Sequence, residues 1–213
     1  MDADVLLYLV VGVALAFDFT NGFHDAANSV ATVVATRALP ARWAPWFSAA
    51  FNFSAFFVVG TAVANTVAKV VKHDAEGVAV VFAALIAAIT WNYLTWYIGM
   101  PSSSSHAIIG GLVGAGLAAG GLSAINWGVV QTALIAIVVS PMVAFTVAFL
   151  AMLGLSRLQR RLRVPEDAKA FKGLQLLSAA GVSFGHGAND AQKTMGIIAA
   201  VLLAGGYITL QPD

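Results

Sequence analysis

Between Gly77 and Ser156 the chain carries no Asp, Glu, Lys or Arg, an unbroken uncharged run of 80 residues. One transmembrane helix needs only about 20 apolar residues, so the run holds several membrane segments. Soluble domains, in which about a quarter of residues are charged, do not contain such a stretch. Here the charged fraction is 10%, against 60% hydrophobic residues, and the mean hydropathy is +0.85. An unpaired backbone group in lipid costs several kcal/mol, so each segment is expected to be helical and the fold to be an all-α, polytopic membrane protein.

The uncharged blocks predict spans at 5–36, 43–70, 78–100, 107–122, 125–155 and 173–203. The block 107–122 is short and holds Gly110, Gly111, Gly114, Gly116, Gly120 and Gly121, which suits one half of a re-entrant hairpin as well as a full span. Gly110 and Gly114 have the spacing of a close helix contact. The opening MDADVLLYLVVGVALAF has acidic flanks and stays apolar past any small-residue cleavage site. It reads as the first span, not a removable signal peptide.

The linker SRLQRRLRVPEDAKAFK carries Arg157, Arg160, Arg161, Arg163, Lys169 and Lys172, the densest positive cluster in the chain. The positive-inside tendency makes it a cytoplasmic loop, a solvated face with anionic-lipid contact as a minor addition. Counting back, the first span runs from outside to inside, placing Arg37 and Arg42 in the cytoplasm and Asp2 and Asp4 outside. His73, among Lys72, Asp74 and Glu76, then falls in an outer loop. Trp43, Trp46 and Trp127 lie near span ends, where tryptophan anchors at the interface. A net charge of +1 with no basic stripe argues against nucleic acid as a partner. With no cysteine there is no disulfide, thiolate chemistry or Cys-based metal site.

Two segments resemble each other: DFTNGFHDAANS at 18–29 and SFGHGANDAQKT at 183–194. Aligning Asp25 with Asp190, an offset of 165, brings Phe19 onto Phe184, Gly22 onto Gly187, Ala26 onto Ala191 and Ser29 onto Thr194. The first copy lies in a span that starts outside and the second in one that starts at the cytoplasmic loop, so the two are expected to cross in opposite directions. Inverted-topology repeats are a construction principle of secondary transporters, with the site near the midplane. The expected division is a first repeat at 1–155, a basic loop at 156–172 and the first span of a second repeat at 173–213. Two repeats of this length need about 330 residues, so the sequence is expected to be a partial form that does not transport alone.

Asp18 lies about 20 Å along the first helix from Val5, deep in a hydrocarbon core of about 30 Å. An ionised Asp there costs at least about 2.5–3.5 kcal/mol. Asp18, Asn21, Asp25 and Asn28 share one face if the helix is regular. Thr20 and Gly22 suit a local break instead, which would free backbone groups beside the carboxylates. Carboxylate and amide oxygens are ligands for hard cations, and a freed helix N-terminus favours an anion. Lys193 can neutralise Asp190. The stretch GMPSSSSHA adds Pro101 as an interruption, then Ser102, Ser103, Ser104, Ser105 and His106 at a helix start, a neutral donor nest for a tetrahedral oxyanion. Asn52 reads either as lining the same cavity or as an interhelical hydrogen bond. A hydrolase built on Ser105, His106 and Asp25 is disfavoured, because adjacent Ser and His seldom come within hydrogen-bond reach and the repeated Asp motif is left unexplained. A passive channel is disfavoured because the titratable groups do not ring a pore.

NGFHDAANSVATVVATRALP, TWYIGMPSSSSHAIIGG and SFGHGANDAQKTMGIIA together resemble the motifs of the inorganic phosphate transporter (PiT) family, in the family's order and over nearly the whole chain. The resemblance implies a non-enzymatic secondary transporter of inorganic phosphate, coupled to sodium or protons by alternating access. It implies two inverted repeats with broken helices, one re-entrant hairpin each, and residence in a bacterial inner (plasma) membrane. Asp25, Asn28, Ser102, Ser103, Ser104, Ser105, Gln192, Lys193 and Thr194 would contact phosphate. Asp18, Asn21, Asp25, Asn189 and Asp190 would contact the cation. No metal or organic cofactor is implied; membrane lipid is a partner, and a homo-oligomer is compatible. Sulfate is the alternative substrate. The chain departs from the family at His24, where many members carry Asn, a change that would favour protons or a metal–phosphate complex, and in lacking a second Ser-rich hairpin.

Overall fold

The computed structural model describes residues 3–58, 69–72, 77–163, 169–204 and 207. Among the described residues, six helices carry the architecture: α1 (Ala3–Ala35), α2 (Ala44–Ala55), α3 (Val78–Tyr97), α4 (Ser104–Gly120), α5 (Trp127–Leu162) and α6 (Lys169–Ala204), with a 3-10 turn at Gly121–Ala124. The expected span at 43–70 begins as α2, and its stretch 59–68 lies outside the described residues, as does His73. Among the described residues, four helical segments are long and apolar enough to cross a membrane: Leu7–Ala35, Val78–Tyr97, Ser104–Ala124 and Trp127–Leu162. The chain is a multi-pass membrane protein.

Side-chain pairings give the directions of the helices. Asp18 pairs with Thr194 and Asn21 with Lys193, while Thr32 and Thr36 meet Gln175, so α1 and α6 are antiparallel. Ser48 meets Ser183, and Asn52 lies against Gly187, so α2 runs parallel to α6. Thr20 meets Asn92 and His24 meets Thr95, so α3 runs parallel to α1.

α3 and α4 form a hairpin whose two open ends are tied at one end of the bundle. There Val71 pairs with Ile125, Lys72 N–H donates to Ala124 O at 2.8 Å and Asn126 N–H to Val70 O at 3.0 Å. At the tip α3 stops at Gly99, whose φ of +70° is open to glycine at little cost, and Met100 N–H donates to Thr95 O at 2.8 Å. Pro101 follows, and Ser103 then caps α4 in an extended conformation by accepting from His106 N–H at 3.4 Å. The tip shares a cavity with Asp25 and Asn28, whereas α1 continues to Ala35, about 10–15 Å further. The hairpin therefore turns back before α1 ends.

The core is split. Val10, Ala14 and Phe17 of α1 pack with Ala84, Leu85 and Ala88 of α3, Ile108 and Leu112 of α4, and Ile197 and Val201 of α6. Val33, Ala44 and Ala179 form a smaller cluster. The polar stretches of α1 and α6 lie between the two along both helices. α5 buries none of its residues against the other described helices and exposes Leu134, Val138, Met142, Phe145, Phe149 and Met152.

Two expectations change. The local break at Thr20 and Gly22 is absent: α1 is continuous, because the Thr20 hydroxyl donates to Phe17 O at 2.8 Å within the helix and Gly22 has nothing forcing a bend. Among the described residues Gly110 and Gly114 make no close helix contact, since a Cβ on either would meet nothing within 4 Å. That contact belongs to Gly111, whose added Cβ would lie 2.6 Å from Ala84 O, and to Gly187, whose Cβ would collide with the backbone of Asn52.

Candidate functional site

A cavity of about 350 Å³ lies where the hairpin tip meets the polar stretches of α1 and α6. α1 supplies Asp25 and Asn28, the tip supplies Ser102, Ser103 and Ser105, and α6 supplies His186, Asn189, Asp190 and Lys193. Since α1 and α6 are unbroken, the helix N-terminus at this cavity is that of α4, whose first-turn N–H groups point to where Ser103 and Ser105 stand.

On the α6 side the charges are paired. Lys193 Nζ lies 2.6 Å from Asp190 Oδ1, and His186 Nε2 lies 2.9 Å from Asp190 Oδ2. Lys193 also donates to Asn21 Oδ1 at 3.4 Å. With the Lys193 side chain only 5% exposed, Asp190 is the partner that makes its burial tolerable. On the α1 side Asp25 Oδ1 accepts from Asn28 Nδ2 at 3.3 Å, and His24 Nδ1 stands 3.8 Å away. His24 Nε2 lies 3.3 Å from the Thr95 hydroxyl.

A second cavity of about 350 Å³ lies between α1, α2 and α6, lined by Asp18, Asn21, Ser48, Asn52, His186 and Asp190 among others. Asn52 thus lines a cavity; its Nδ2 donates to Ser48 Oγ at 3.5 Å, while its buried Oδ1 has no partner among the described residues. Asp18 Oδ1 accepts from Thr194 Oγ1 at 2.7 Å. Asp190 and His186 form a wall common to both cavities.

The residues expected at the site therefore separate. Asp25, Asn28, Ser102, Ser103, Ser105, Asn189, Asp190 and Lys193 converge on the first cavity. Asp18 and Asn21 line the second. Gln192 and Thr194 are buried and line neither. Ser104, 1% exposed, is buried and lines neither cavity, and its Oγ has no partner among the described residues. Four consecutive serines at a helix start cannot all face one way, because successive side chains turn by about 100°.

Sequence reasoning missed His186. Its signal was present: it stands 165 residues after Asn21 and four before Asp190. Asp25, His186 and Asp190 each bring one ligand atom within 4.8 Å of the others, a set able to hold a metal ion. The hydrolase arrangement is not assembled, since Ser105 and Asp25 line the polar cavity whereas His106 lines a separate groove.

The fold and cavity define a multi-pass helical membrane protein with a polar centre walled by two antiparallel helices and a hairpin tip. Residues 21–210 match the model of the phosphate transporter family, and the chain belongs to that family. It is 51% identical over 213 residues to a probable low-affinity inorganic phosphate transporter of Rhizobium meliloti, covering 98% of this chain and 64% of that protein. It is 42% identical over 216 residues to one of Bacillus subtilis, covering 98% and 63% respectively. The chain thus spans just under two thirds of the length of these two relatives. A solved structure titled the sodium-dependent phosphate transporter has the same fold, with a TM-score of 0.85 at 24% identity, over 95% of this chain and 68% of that one. The family consists of transporters, so the chain is not an enzyme, and its bacterial relatives are consistent with an inner-membrane location.

Proposed function

We propose that the first cavity binds inorganic phosphate and that the protein moves it with a coupled cation, sodium or a proton, by alternating access. The observation that carries this reading is the meeting, at one cavity, of the hairpin hydroxyls and α4 N-terminus with Lys193 and two carboxylates. The hydroxyls of Ser102, Ser103 and Ser105, with the α4 N–H groups, donate to the anion. Asp25 and Asp190 favour phosphate over sulfate: a carboxylate accepts a hydrogen bond from protonated phosphate, whereas sulfate has no proton to give. Two carboxylates beside an anion also call for a cation. Asp25, Asn189 and Asp190 offer oxygens to it from the first cavity, and Asp18 and Asn21 from the second.

The antiparallel course of α1 and α6 supports reading 1–155 and 173–213 as a first inverted repeat and the start of a second, joined by the loop 156–172. The shared wall of Asp190 and His186 is then the place where cation and anion sense each other.

Equilibrium binding of radiolabelled phosphate to the purified protein tests the reading, with sodium and pH varied separately and sulfate as competitor. Saturable binding that strengthens with sodium or with protons, and that sulfate displaces poorly, is expected. Binding that responds to neither cation, or that survives Asp25→Asn intact, would overturn it.

A further inference from the structure

A groove of about 710 Å³ runs along the α3–α4 hairpin, lined mainly by Ala83, Ala87, Ala107, Gly110 and Gly114, with Ile137 of α5 alongside. Its volume falls in the range of small-molecule sites, about 300–1,000 Å³. Its polar end is formed by Ser102 and Ser103, which also line the phosphate cavity. Polar cavity and apolar groove therefore adjoin at the hairpin tip, with Ser102 and Ser103 lining both.

The groove is open because two glycines leave it open. A Cβ on Gly110 or Gly114 would meet nothing within 4 Å, so neither is needed for packing within the described residues. From Ser103 to Gly114 the groove follows α4 for about 16 Å.

We propose that this composite site takes monoalkyl phosphates, with the phosphate head at the tip serines and Lys193 and the alkyl chain laid along the small-residue groove. The proposal rests on the reading of the first cavity as a phosphate site. Charge selects the head, because the cavity presents hydroxyl donors, a helix N-terminus and an ammonium group. Shape and polarity select the tail, because beyond Trp91 and His106, which bond the tip serines, the groove wall is Ala, Gly and Ile. Such a ligand, too large to be carried with its tail in the groove, acts as a competitive inhibitor at the phosphate cavity.

Displacement of radiolabelled inorganic phosphate from the purified protein by methyl, hexyl and decyl phosphate tests this, with decanol as the tail lacking a head. Decyl phosphate is expected to displace phosphate at least about tenfold more effectively than methyl phosphate, since each methylene placed on apolar surface adds to binding. Gly114→Leu, which fills the groove, is expected to erase that difference and leave inorganic phosphate binding unchanged; Gly110→Leu serves if the first variant does not fold. Equal potency of methyl and decyl phosphate, displacement by decanol as strong as by decyl phosphate, or a chain-length effect that survives both variants would overturn the proposal. If inorganic phosphate itself fails to bind, the reading of the cavity falls, and this one with it.

Discussion

The two motif copies place polar residues at the same offsets from an aspartate but hold those aspartates differently. Asp190 of α6 is held by Lys193 at 2.6 Å and by His186 at 2.9 Å, whereas Asp25 of α1 accepts from the neutral Asn28 amide at 3.3 Å. The geometry repeats: Asn28 and Lys193 are each three residues after their Asp, and Asn21 and His186 each four before. What differs is charge. The α6 copy pairs its aspartate with an ammonium group, whereas the α1 copy holds its own with a neutral amide and has His24 Nδ1 3.8 Å away.

Breaking the paired aspartate should have the largest effect. Asp190→Asn leaves the Lys193 ammonium buried without its counter-charge and is expected to lower stability by about 3–5 kcal/mol, read as thermal unfolding in detergent. Asp190→Asn combined with Lys193→Met should recover most of that loss without recovering phosphate binding. If the single variant unfolds like wild type, the buried pair is not what holds α6 in place.

Asp25→Asn should separate the copies further. Its helix partner is neutral, so stability should change little, while phosphate binding falls about 10- to 100-fold, the worth of a hydrogen bond to a charged group. Binding isotherms and unfolding curves on the same preparation check both halves.

The glycines distinguish the copies sterically. Gly187→Ala places a methyl group on the Asn52 backbone and should cost about 1–3 kcal/mol by forcing α2 from α6. Gly22→Ala, at the matching position, has open space and should be tolerated. Equal effects of the two in a thermal-shift assay would contradict the different packing of the two helices.

The smallest effects lie at the hairpin tip. Ser103→Ala removes the α4 cap and should cost about 1 kcal/mol together with weaker phosphate binding. Ser104→Ala removes an unpartnered buried hydroxyl and should be neutral or slightly stabilising, with phosphate binding retained. A large binding defect in Ser104→Ala would return that residue to the cavity.

Much of this was legible in the chain. The uncharged run dictated a helical membrane protein, and the offset of 165 aligned Asp25 with Asp190 before any contact was known. Asp25, Asn28, Asp190, Lys193 and the tip serines other than Ser104, singled out by residue type or by the family resemblance, do line one cavity. His186 was missed because a histidine beside glycines in an apolar span draws little notice until its bond to Asp190 is seen. Ser104 was overcounted because a run of four serines gives no sign of which one turns inward.

SFGHGANDAQKT and DFTNGFHDAANS thus specified by themselves that two costly polar stretches exist and that each needs a partner, since charge in hydrocarbon is expensive whatever the fold. Composition and periodicity fixed the solvent and the helices for the same local reason. Only the tertiary structure decided that Asp18 bonds Thr194, that Gly187 and Gly111 make the close approaches while Gly110 and Gly114 stay open, and that the polar residues divide between two cavities with a common wall. Those outcomes depend on the rotation of each helix about its axis and on the depth at which the hairpin docks. Both are set by packing between residues far apart in the chain, 72 positions for Thr20 and Asn92 and 176 for Asp18 and Thr194.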